Sequence, residues 1–290
     1  MIMIFKTLCI NVGSNCNRAC SYCFRNNYDR TLAEAKLTDD MLDFLRNKAA
    51  LFKRIAFCGG EPLLYLDSVT KMVEAIPLFV DKYIYTNGTL LNEELVYYFN
   101  ANNVTVVISH DGESTKLLRG YDVLETHLAE ISKVDKLGFS SVITPSNLDL
   151  KKVYSYIKDK VGRDFVHRLN FYLENGSDAQ ALDGFDYNLL RRYLVEYIAL
   201  HPEQYDILNY CDNEDRNLGT QVLLNGDVVC MTTLKRYGNL LYDDEETLYS
   251  NIKQSYQCGE CQYYPVCTGK KQLKSKHYCE LMRIIIEAKY

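Results

Sequence analysis

The chain has 290 residues, of which 47% are hydrophobic, and its formal net charge is −5. This length supports one sizeable core and a smaller additional module. Acidic and basic residues are mixed along the chain, which excludes a basic stripe for nucleic acid and a basic amphipathic helix for membranes. Residues 1–12 are apolar but short and are interrupted by Lys6, and no stretch approaches about 18 uninterrupted apolar residues. We therefore expect a cytoplasmic protein that binds neither nucleic acid nor membrane.

The first 172 residues alternate short β-branched or aromatic runs with longer segments of helical period. Six strands are predicted, at residues 4–12, 54–58, 82–85, 104–109, 139–143 and 164–172. Helices are predicted between them, at residues 38–48, 68–76, 92–101, 123–137 and 148–158. Thr38 and Asn92 are each followed by two acidic residues, as is typical of a helix N-terminus. No hairpin turn separates these strands, which indicates parallel β/α units.

These units predict an α/β fold with a partial (β/α)6 barrel of the TIM type over residues 1–202. A full eight-unit barrel would need roughly 200 residues or more for its β/α units alone, and the alternating strands and helices of residues 4–172 occupy fewer. A further helix is predicted at residues 187–200. Asn225-Gly226 then predicts a hairpin, because this dipeptide supplies the two positive φ angles of a tight turn. The cysteine-rich tail and a final helix at residues 279–288 complete a second, smaller unit over residues 203–290.

Eleven cysteines lie mostly in two short-spaced groups, and no signal peptide precedes them. In a cytoplasmic protein such spacing favours metal binding over disulfides. Cys16, Cys20 and Cys23 follow the first strand in a Cys-x3-Cys-x2-Cys arrangement. Three thiolates on a four-iron cube leave one iron open to an outside ligand. The alternatives are a zinc site with a fourth ligand elsewhere and a loop of incidental thiols.

The first cysteine group, with Tyr22 before its last cysteine, resembles the signature of the radical S-adenosylmethionine (SAM) superfamily. Gly59-Gly60-Glu61, after the second strand, is similar to the superfamily's Gly-Gly-Glu motif, which grips the methionine amino group of SAM. Thr86-Asn87-Gly88 and Ser109-His110-Asp111-Gly112 resemble two further turns of the family. The resemblance implies a redox-active 4Fe–4S cluster on Cys16, Cys20 and Cys23. It also implies that SAM binds the open iron and yields a 5′-deoxyadenosyl radical that takes hydrogen from a substrate.

The same resemblance assigns individual contacts to SAM. Ser109 and Arg119 correspond to residues that meet the SAM carboxylate, and Thr144 corresponds to a position near its hydroxyls or adenine. Turn formation before glycine is an alternative role for Asn87 and Asp111, and His110 is either a substrate contact or a helix cap. The implied cofactor-binding set is Tyr22, Gly59, Gly60, Glu61, Asn87, Ser109, Asp111, Arg119 and Thr144.

The second cysteine group resembles the C-terminal iron–sulfur module called SPASM, which is found on radical enzymes that modify peptides and proteins. The full module carries two auxiliary clusters, but the position of one expected cysteine is Lys271 here. We therefore predict one auxiliary 4Fe–4S cluster, and a zinc knuckle is the alternative. Its ligands would be Cys258, Cys261, Cys267 and Cys279. Cys211 and Cys230 remain, and either one serves an unusual cluster or one is a hydrogen donor, for which Cys211 is the candidate. Cys9 and Cys58 are interpreted as core residues.

The SPASM resemblance implies a peptide substrate, with formation of a thioether or carbon–carbon crosslink, or epimerisation, as in the maturation of ribosomal peptides. Oxidation of Ser or Cys on a protein, as in sulfatase maturation, is an alternative, as is a small-molecule substrate. A non-catalytic iron–sulfur or zinc protein is the alternative from a different class. We expect an external electron donor such as flavodoxin or ferredoxin. Because the chain begins at strand one, we also expect either a separate peptide-recognition protein or direct recognition.

Overall fold

The computed structural model describes residues 7–23, 25, 34–171, 185–201, 220–230, 234–254 and 276–289. The first strands are β1 Thr7–Asn11, β2 Arg54–Cys58, β3 Asp81–Thr86, β4 Val104–Ser109, β5 Leu137–Ile143 and β6 Val166–Phe171. The helices that follow them are α1 Asp39–Lys48, α2 Leu66–Ala75, α3 Glu93–Ala101, α4 Thr115–Arg119, α5 Leu128–Ser132 and α6 Leu150–Val161. The next helix, α7, is Tyr187–Leu200.

These six strands form one parallel sheet in the order β6-β5-β4-β3-β2-β1. The parallel order confirms the predicted α/β fold and is consistent with a partial barrel of β/α units. The caps predicted at Thr38 and Asn92 are also confirmed. The Thr38 hydroxyl accepts from the amide of Met41 at 3.2 Å, and the Asn92 side chain accepts from the amide of Leu95 at 2.9 Å.

The helix predicted over residues 123–137 is wrong in extent. Val123–Glu125 form a 3-10 turn, because the Asp122 carboxylate caps it by accepting from the amide of Leu124 at 2.9 Å. Helix α5 is correspondingly short, and β5 already begins at Leu137. The apolar residues of this segment are therefore shared between a turn, a short helix and the first residue of a strand.

The two faces of the parallel strands differ in chemistry because side chains alternate along each strand. The face covered by the helices is apolar and fully buried, with residues such as Leu8, Ile10, Ile55, Phe57 and Ile84 at its centre. The opposite, concave face carries polar and partly exposed side chains, which include Cys9, Arg54, Cys58, Tyr83, Tyr85 and Arg168. The hydrophobic core thus lies between sheet and helices, and the concave face is left for polar contacts.

The sheet continues beyond residue 202. Strand β7 (Thr220–Leu223) pairs in parallel with β1, with Val222 opposite Ile10. Strands β8 (Asp227–Cys230) and β9 (Arg236–Asn239) then pair antiparallel. Within the described residues the full order is β6-β5-β4-β3-β2-β1-β7-β8-β9. The division between residues 1–202 and 203–290 stays a prediction, and one sheet runs across it.

The predicted hairpin is present between β7 and β8, but its turn differs from the expected one. Gly226 has a φ of +85°, whereas Asn225 is not in the left-handed region. The connection is therefore a three-residue turn with glycine in the left-handed position rather than a two-residue turn with two such angles.

Two further helices, α8 (Glu245–Gln254) and α9 (Lys276–Lys289), complete the described chain. Helix α9 packs beside α7, where Arg191 and Glu287 form a salt bridge at 2.6 Å. No helix in the described ranges is long and apolar enough to cross a membrane.

Candidate functional site

The predicted cluster ligands lie on the loop that leaves the carboxyl end of β1. Cys16, Cys20 and Cys23 are all partly buried, and the Cys23 amide donates to the Cys20 carbonyl at 3.1 Å. The loop is tied to α4 by the amide of Ser21, which donates to the carbonyl of Leu118 at 3.0 Å. All three cysteines therefore lie at the edge of the barrel where ligands bind.

The chemistry of this loop fits an iron–sulfur cluster better than a single ion. Burial raises the pKa of the Cys16 and Cys20 thiols, so both stay protonated unless a cation stabilises their thiolates. Among the residues that the structure describes, no three His, Cys, Asp or Glu side chains are arranged to hold one metal ion. Four thiolates around a zinc ion, at Zn–S distances of about 2.3 Å, would lie within about 4 Å of one another. Three thiolates on one short loop suit the larger four-iron cube, which leaves one iron for an outside ligand.

Gly59 and Gly60 hold the cysteine loop against the end of β2. The amide of Gly60 donates to the carbonyl of Gly13 at 2.9 Å. A Cβ atom on Gly60 would lie 2.2 Å from the carbonyl oxygen of Asn15, and one on Gly59 would lie 2.5 Å from that of Gly13. Because these neighbours are backbone atoms, a side chain could fit only if the loop moved. Both glycines therefore position the loop, and their contact to SAM stays a prediction.

Glu61 is fully buried and joins the ends of β2 and β3. Its Oε1 accepts from the Thr86 hydroxyl at 2.6 Å and from the Leu63 amide at 3.0 Å, and its Oε2 accepts from the Asn87 amide at 2.7 Å. Burial raises the pKa of Glu61, and the three hydrogen bonds oppose that rise. Since both oxygens are engaged within the protein, we expect the backbone here, rather than the carboxylate, to face the cofactor.

Asn87 forms a turn and also contacts the cysteine loop. Its Oδ1 accepts from the amide of Thr89 at 3.0 Å, which is the turn role considered from the sequence. Its Nδ2 donates to the Asn17 side chain at 2.8 Å and lies 3.9 Å from the Cys16 sulfur. Amide donors near a cluster sulfur are one means by which a protein adjusts the reduction potential of the cluster.

A buried network of Tyr22, Asp111 and Arg119 joins the cysteine loop, the end of β4 and helix α4. Asp111 Oδ2 accepts from the Tyr22 hydroxyl at 2.7 Å and from Arg119 Nε at 2.6 Å. Asp111 Oδ1 accepts from Arg119 Nη2 at 3.0 Å and from the amide of Val142 at 2.8 Å. Burial alone would lower the pKa of Arg119, but the Asp111 carboxylate raises it, so the guanidinium stays charged. Burial likewise raises the pKa of Tyr22 well above its usual range.

This network leaves one face of the arginine for a ligand. Arg119 is bound to Asp111 through Nε and Nη2, and its Nη1 makes no hydrogen bond among the described residues. A fixed guanidinium with a remaining donor suits the carboxylate that the resemblance assigns to it. The residues present therefore fit SAM at this position.

Ser109 and Thr144 differ in what they can offer to a cofactor. Ser109 ends β4, is partly exposed and lies opposite Ser140 in the sheet register. Thr144 is buried, and its hydroxyl donates to the Asn147 side chain at 3.0 Å and accepts from the Ser146 amide at 3.2 Å. Thr144 thus shapes the turn after β5, whereas Ser109 remains accessible.

His110 behaves as a cap and not as a substrate contact. Its side chain is fully buried, and Nδ1 accepts from the amide of Gly112 at 3.1 Å. Its Nε2 lies 2.9 Å from Asp122 Oδ1, and its ring stacks on Tyr156 at a centroid distance of 5.8 Å. This side chain therefore stabilises the end of β4 from behind the site.

Cys9 and Cys58 do not lie in the hydrophobic core, so the interpretation as core residues is wrong. Both are partly exposed on the concave face, where their sulfur atoms are 3.1 Å apart. The Cys58 sulfur also accepts from Gln221 Nε2 at 3.2 Å, and Gln221 in turn accepts from Asn11. The alternation of residues along β1 and β2 is the signal that would have found this polar group, since Cys9 and Asn11 share one face.

The predicted auxiliary site falls mostly outside the described residues. This is the case for Cys211, Cys258, Cys261, Cys267 and Lys271. Cys279 is exposed in α9, and Cys230 is fully buried in β8.

Residues 10–144 match the family model described as the radical SAM superfamily. The matched segment runs from β1 to the turn after β5 and so includes the cysteine loop, the glycine pair and the buried network around Asp111. This segment, which carries the candidate site, is therefore similar to the radical SAM superfamily.

Individual relatives differ in how much of the chain they cover. The "Cysteine-type anaerobic sulfatase-maturating enzyme" of Clostridium perfringens (strain 13 / Type A) is 25% identical over 350 residues, covering 95% of this chain and 93% of that protein. The uncharacterized protein MJ0907 of Methanocaldococcus jannaschii is 32% identical over 165 residues, covering 51% of this chain. This chain spans 56% of the length of MJ0907.

The fold is shared with solved structures. Native anSMEcpe with bound AdoMet superposes with a TM-score of 0.66 at 19% sequence identity, covering 97% of this chain and 96% of that chain. The same protein has been solved with bound AdoMet and the Cp18Cys peptide, at 22% identity, a TM-score of 0.66 and the same two coverages.

Proposed function

We propose that this chain is a radical SAM enzyme that removes hydrogen from a peptide substrate. The observation that carries the proposal is the cysteine loop, which places three partly buried thiols at the carboxyl end of β1. The glycine pair fixes this loop from one side, and the network of Tyr22, Asp111 and Arg119 fixes it from the other. When bound, the cluster and SAM would together supply a 5′-deoxyadenosyl radical that abstracts hydrogen from the substrate.

The residues of this chain would then bind and orient the cofactor. Cys16, Cys20 and Cys23 would ligate the cluster, and Asn87 would donate toward the Cys16 sulfur. Arg119, held by Asp111, would pair with the SAM carboxylate through its remaining donor, with Ser109 beside it. The polar concave face below these residues would receive the peptide.

The reaction we favour is oxidation of a Cys or Ser side chain in the peptide. The similarity to the sulfatase-maturating enzyme supports this choice because it extends over 95% of this chain. Crosslinking or epimerisation of a ribosomal peptide is the second candidate. The observation that favours it is that Lys271 occupies the position of a cysteine expected in the full SPASM module. The chain therefore has fewer thiolates than two auxiliary clusters need.

The remaining parts of the proposal concern electron supply and recognition. Cys258, Cys261, Cys267 and Cys279 would hold one auxiliary 4Fe–4S cluster as a path for electrons. An external donor such as flavodoxin or ferredoxin would reduce the enzyme, and a separate peptide-recognition protein would present the substrate where the chain does not recognise it directly. Cys211 would donate a hydrogen atom to the product radical if the reaction leaves a radical on the peptide, as in epimerisation.

The test is anaerobic turnover of the reconstituted protein with dithionite, SAM and peptides that contain a Cys or Ser. We expect 5′-deoxyadenosine together with loss of two hydrogens from the peptide residue, detected by mass spectrometry. Cys20→Ala should lose both products and also iron, whereas Cys9→Ala should keep its iron content. If the wild-type protein forms no 5′-deoxyadenosine, the enzyme proposal is wrong. If it forms a crosslinked or epimerised peptide instead, the second candidate replaces the first.

A further inference from the structure

The concave face holds an arginine, Arg168, that forms no ion pair with the residues that the structure describes. Arg168 follows the register of the sheet, in which Ser109, Ser140 and Arg168 lie opposite one another on β4, β5 and β6. Its guanidinium crosses the barrel to β3, where it lies 5.0 Å from the ring centroid of Tyr83 and 5.6 Å from that of Tyr85.

The sheet leaves room for this crossing. In the next row of the register, Val107, Gly138 and Val166 lie opposite one another, so glycine occupies the position on β5 beneath the arginine. A Cβ atom on Gly138 would come within 3.1 Å of the Val166 carbonyl and 3.4 Å of the Val107 side chain. The absence of a side chain there keeps the middle of the concave face open.

The arginine has hydrogen-bond donors without acceptors. In the part of the chain that the structure describes, the guanidinium forms neither a salt bridge nor a hydrogen bond, and its buried Nε has no acceptor. The two tyrosine rings near the guanidinium accept no conventional hydrogen bond from it, so its N–H groups are left for a ligand. A partly buried charge without a partner in this part of the chain, with a buried Nε that has no acceptor, favours an anion as ligand.

The surroundings add to this preference for an anion. Arg54 also lies near Tyr83, at 6.0 Å from the ring centroid, and brings a second positive charge. Burial raises the pKa of Tyr85 to about 12, so this phenol stays neutral and can donate a hydrogen bond. The chain as a whole carries a net charge of −5, so the positive charge of this site is opposite in sign to the net charge of the molecule.

The position of Arg168 relates it to the proposed peptide site. It precedes Asn170 by two residues on the same face of β6, which is about 7 Å along the strand, and Asn170 donates to Ser140 at 2.7 Å. A cavity of about 830 Å³ opens at the opposite, amino ends of the strands and is lined by Tyr83, Asp81 and Asp135, but not by Arg168. The arginine therefore lies away from this cavity, toward the carboxyl ends of the strands, where the cysteine loop begins.

We infer that Arg168, supported by Tyr83 and Tyr85, is a carboxylate-binding subsite for the substrate. The inference rests on the proposed function in one respect, that the substrate is a peptide. The carboxylate would then belong either to an acidic side chain near the modified residue or to the C-terminus of the peptide, because an arginine binds both in the same bidentate manner.

The first experiment tests the subsite without any turnover. Acetate binding to the reconstituted protein is measured by NMR for the wild type, Arg168→Gln and Arg192→Gln. Arg192 is the matched control because it lies 5.4 Å from the ring centroid of Tyr193 on an exposed part of α7. We expect saturable binding in the wild type and Arg192→Gln, and its loss in Arg168→Gln. Equal binding by all three proteins, or binding by none, overturns the inference.

The second experiment identifies the source of the carboxylate. Peptides with Glu or Gln beside the target, each with a free or amidated C-terminus, are compared by KM. Removing the carboxylate that binds should raise KM by about tenfold to hundredfold, as expected for a charge-assisted hydrogen-bonded pair. Arg168→Gln should raise KM by the same factor for the charged peptide and have no further effect on the neutral one, and Arg168→Lys should recover part of the loss.

The two experiments separate the inference from the proposed function. If the wild type modifies no peptide but binds acetate through Arg168, the peptide proposal fails and the anion site stands. If peptides are modified with the same KM in all four forms, the peptide proposal stands and the subsite is overturned.

Discussion

Replacing Asp111 with asparagine should destabilise the protein far more than breaking an exposed ion pair on the same helix. The side chains of Arg119 and Asp111 are only 10% and 0% exposed. Asp111→Asn leaves the Arg119 charge without its partner in this setting, and such a loss costs about 3–5 kcal/mol. Tyr22→Phe removes one hydrogen bond to the same charged carboxylate and should cost about 1.5–3 kcal/mol.

The matched control is the pair of Lys116 and Glu125, which also begins on α4. Its N–O distance is 2.7 Å, similar to the 2.6 Å between Arg119 and Asp111, but its side chains are 65% and 44% exposed. Lys116→Gln should therefore have little effect, because water and salt already screen the pair. Anaerobic urea unfolding followed by far-ultraviolet circular dichroism measures the three variants. If Asp111→Asn costs no more than Lys116→Gln, burial does not determine the strength of this network and the reasoning is refuted.

Gly60→Ala should lower the iron content of the protein, because the new Cβ would meet the backbone of the cysteine loop. Gly162→Ala is its control, because Gly162 has open space around it and differs from Gly60 in its left-handed backbone (φ +70°). Backbone strain without a contact should leave the iron content unchanged, and equal iron loss in both variants would contradict the explanation. His167 has a pKa lowered to about 3, mainly by burial and also by His201 and His110. The unfolded chain therefore takes up a proton near pH 6.5 while the folded chain does not, so stability is full above pH 6.5 and falls as the pH drops toward 3. Between pH 7.5 and 5 the loss should be about 2 kcal/mol, measured by urea unfolding at both pH values, and it should be absent in His167→Gln; a loss of the same size in that variant would exclude His167 as the cause.

The fold was largely predictable because each parallel strand carries its own hydrophobic run and each helix its own cap. Thr38 and Asn92 accept the hydrogen bonds that their position predicts. The helix predicted at residues 123–137 was wrong because a turn held by Asp122 depends on His110, a contact between residues twelve apart that no local pattern reveals.

The candidate site was predictable only where the chemistry of a residue matched a motif. The cysteine loop was predicted correctly at the end of β1. The sequence does not reveal that the two oxygens of the Glu61 carboxylate already accept hydrogen bonds from Thr86 and Asn87. Arg168 was missed altogether. It belongs to no motif, and its role depends on which strands face each other across the barrel.

The parallel pairing of β7 with β1 has a consequence for how the chain can be divided. Without the residues after 202, β1 would become an edge strand with unpaired amide and carbonyl groups, and open edges of this kind promote aggregation. The strand so exposed is also the one that leads directly into Cys16. Shortening the chain at residue 202 should therefore give a protein that self-associates and loses iron together, although every predicted ligand of the first cluster is still present.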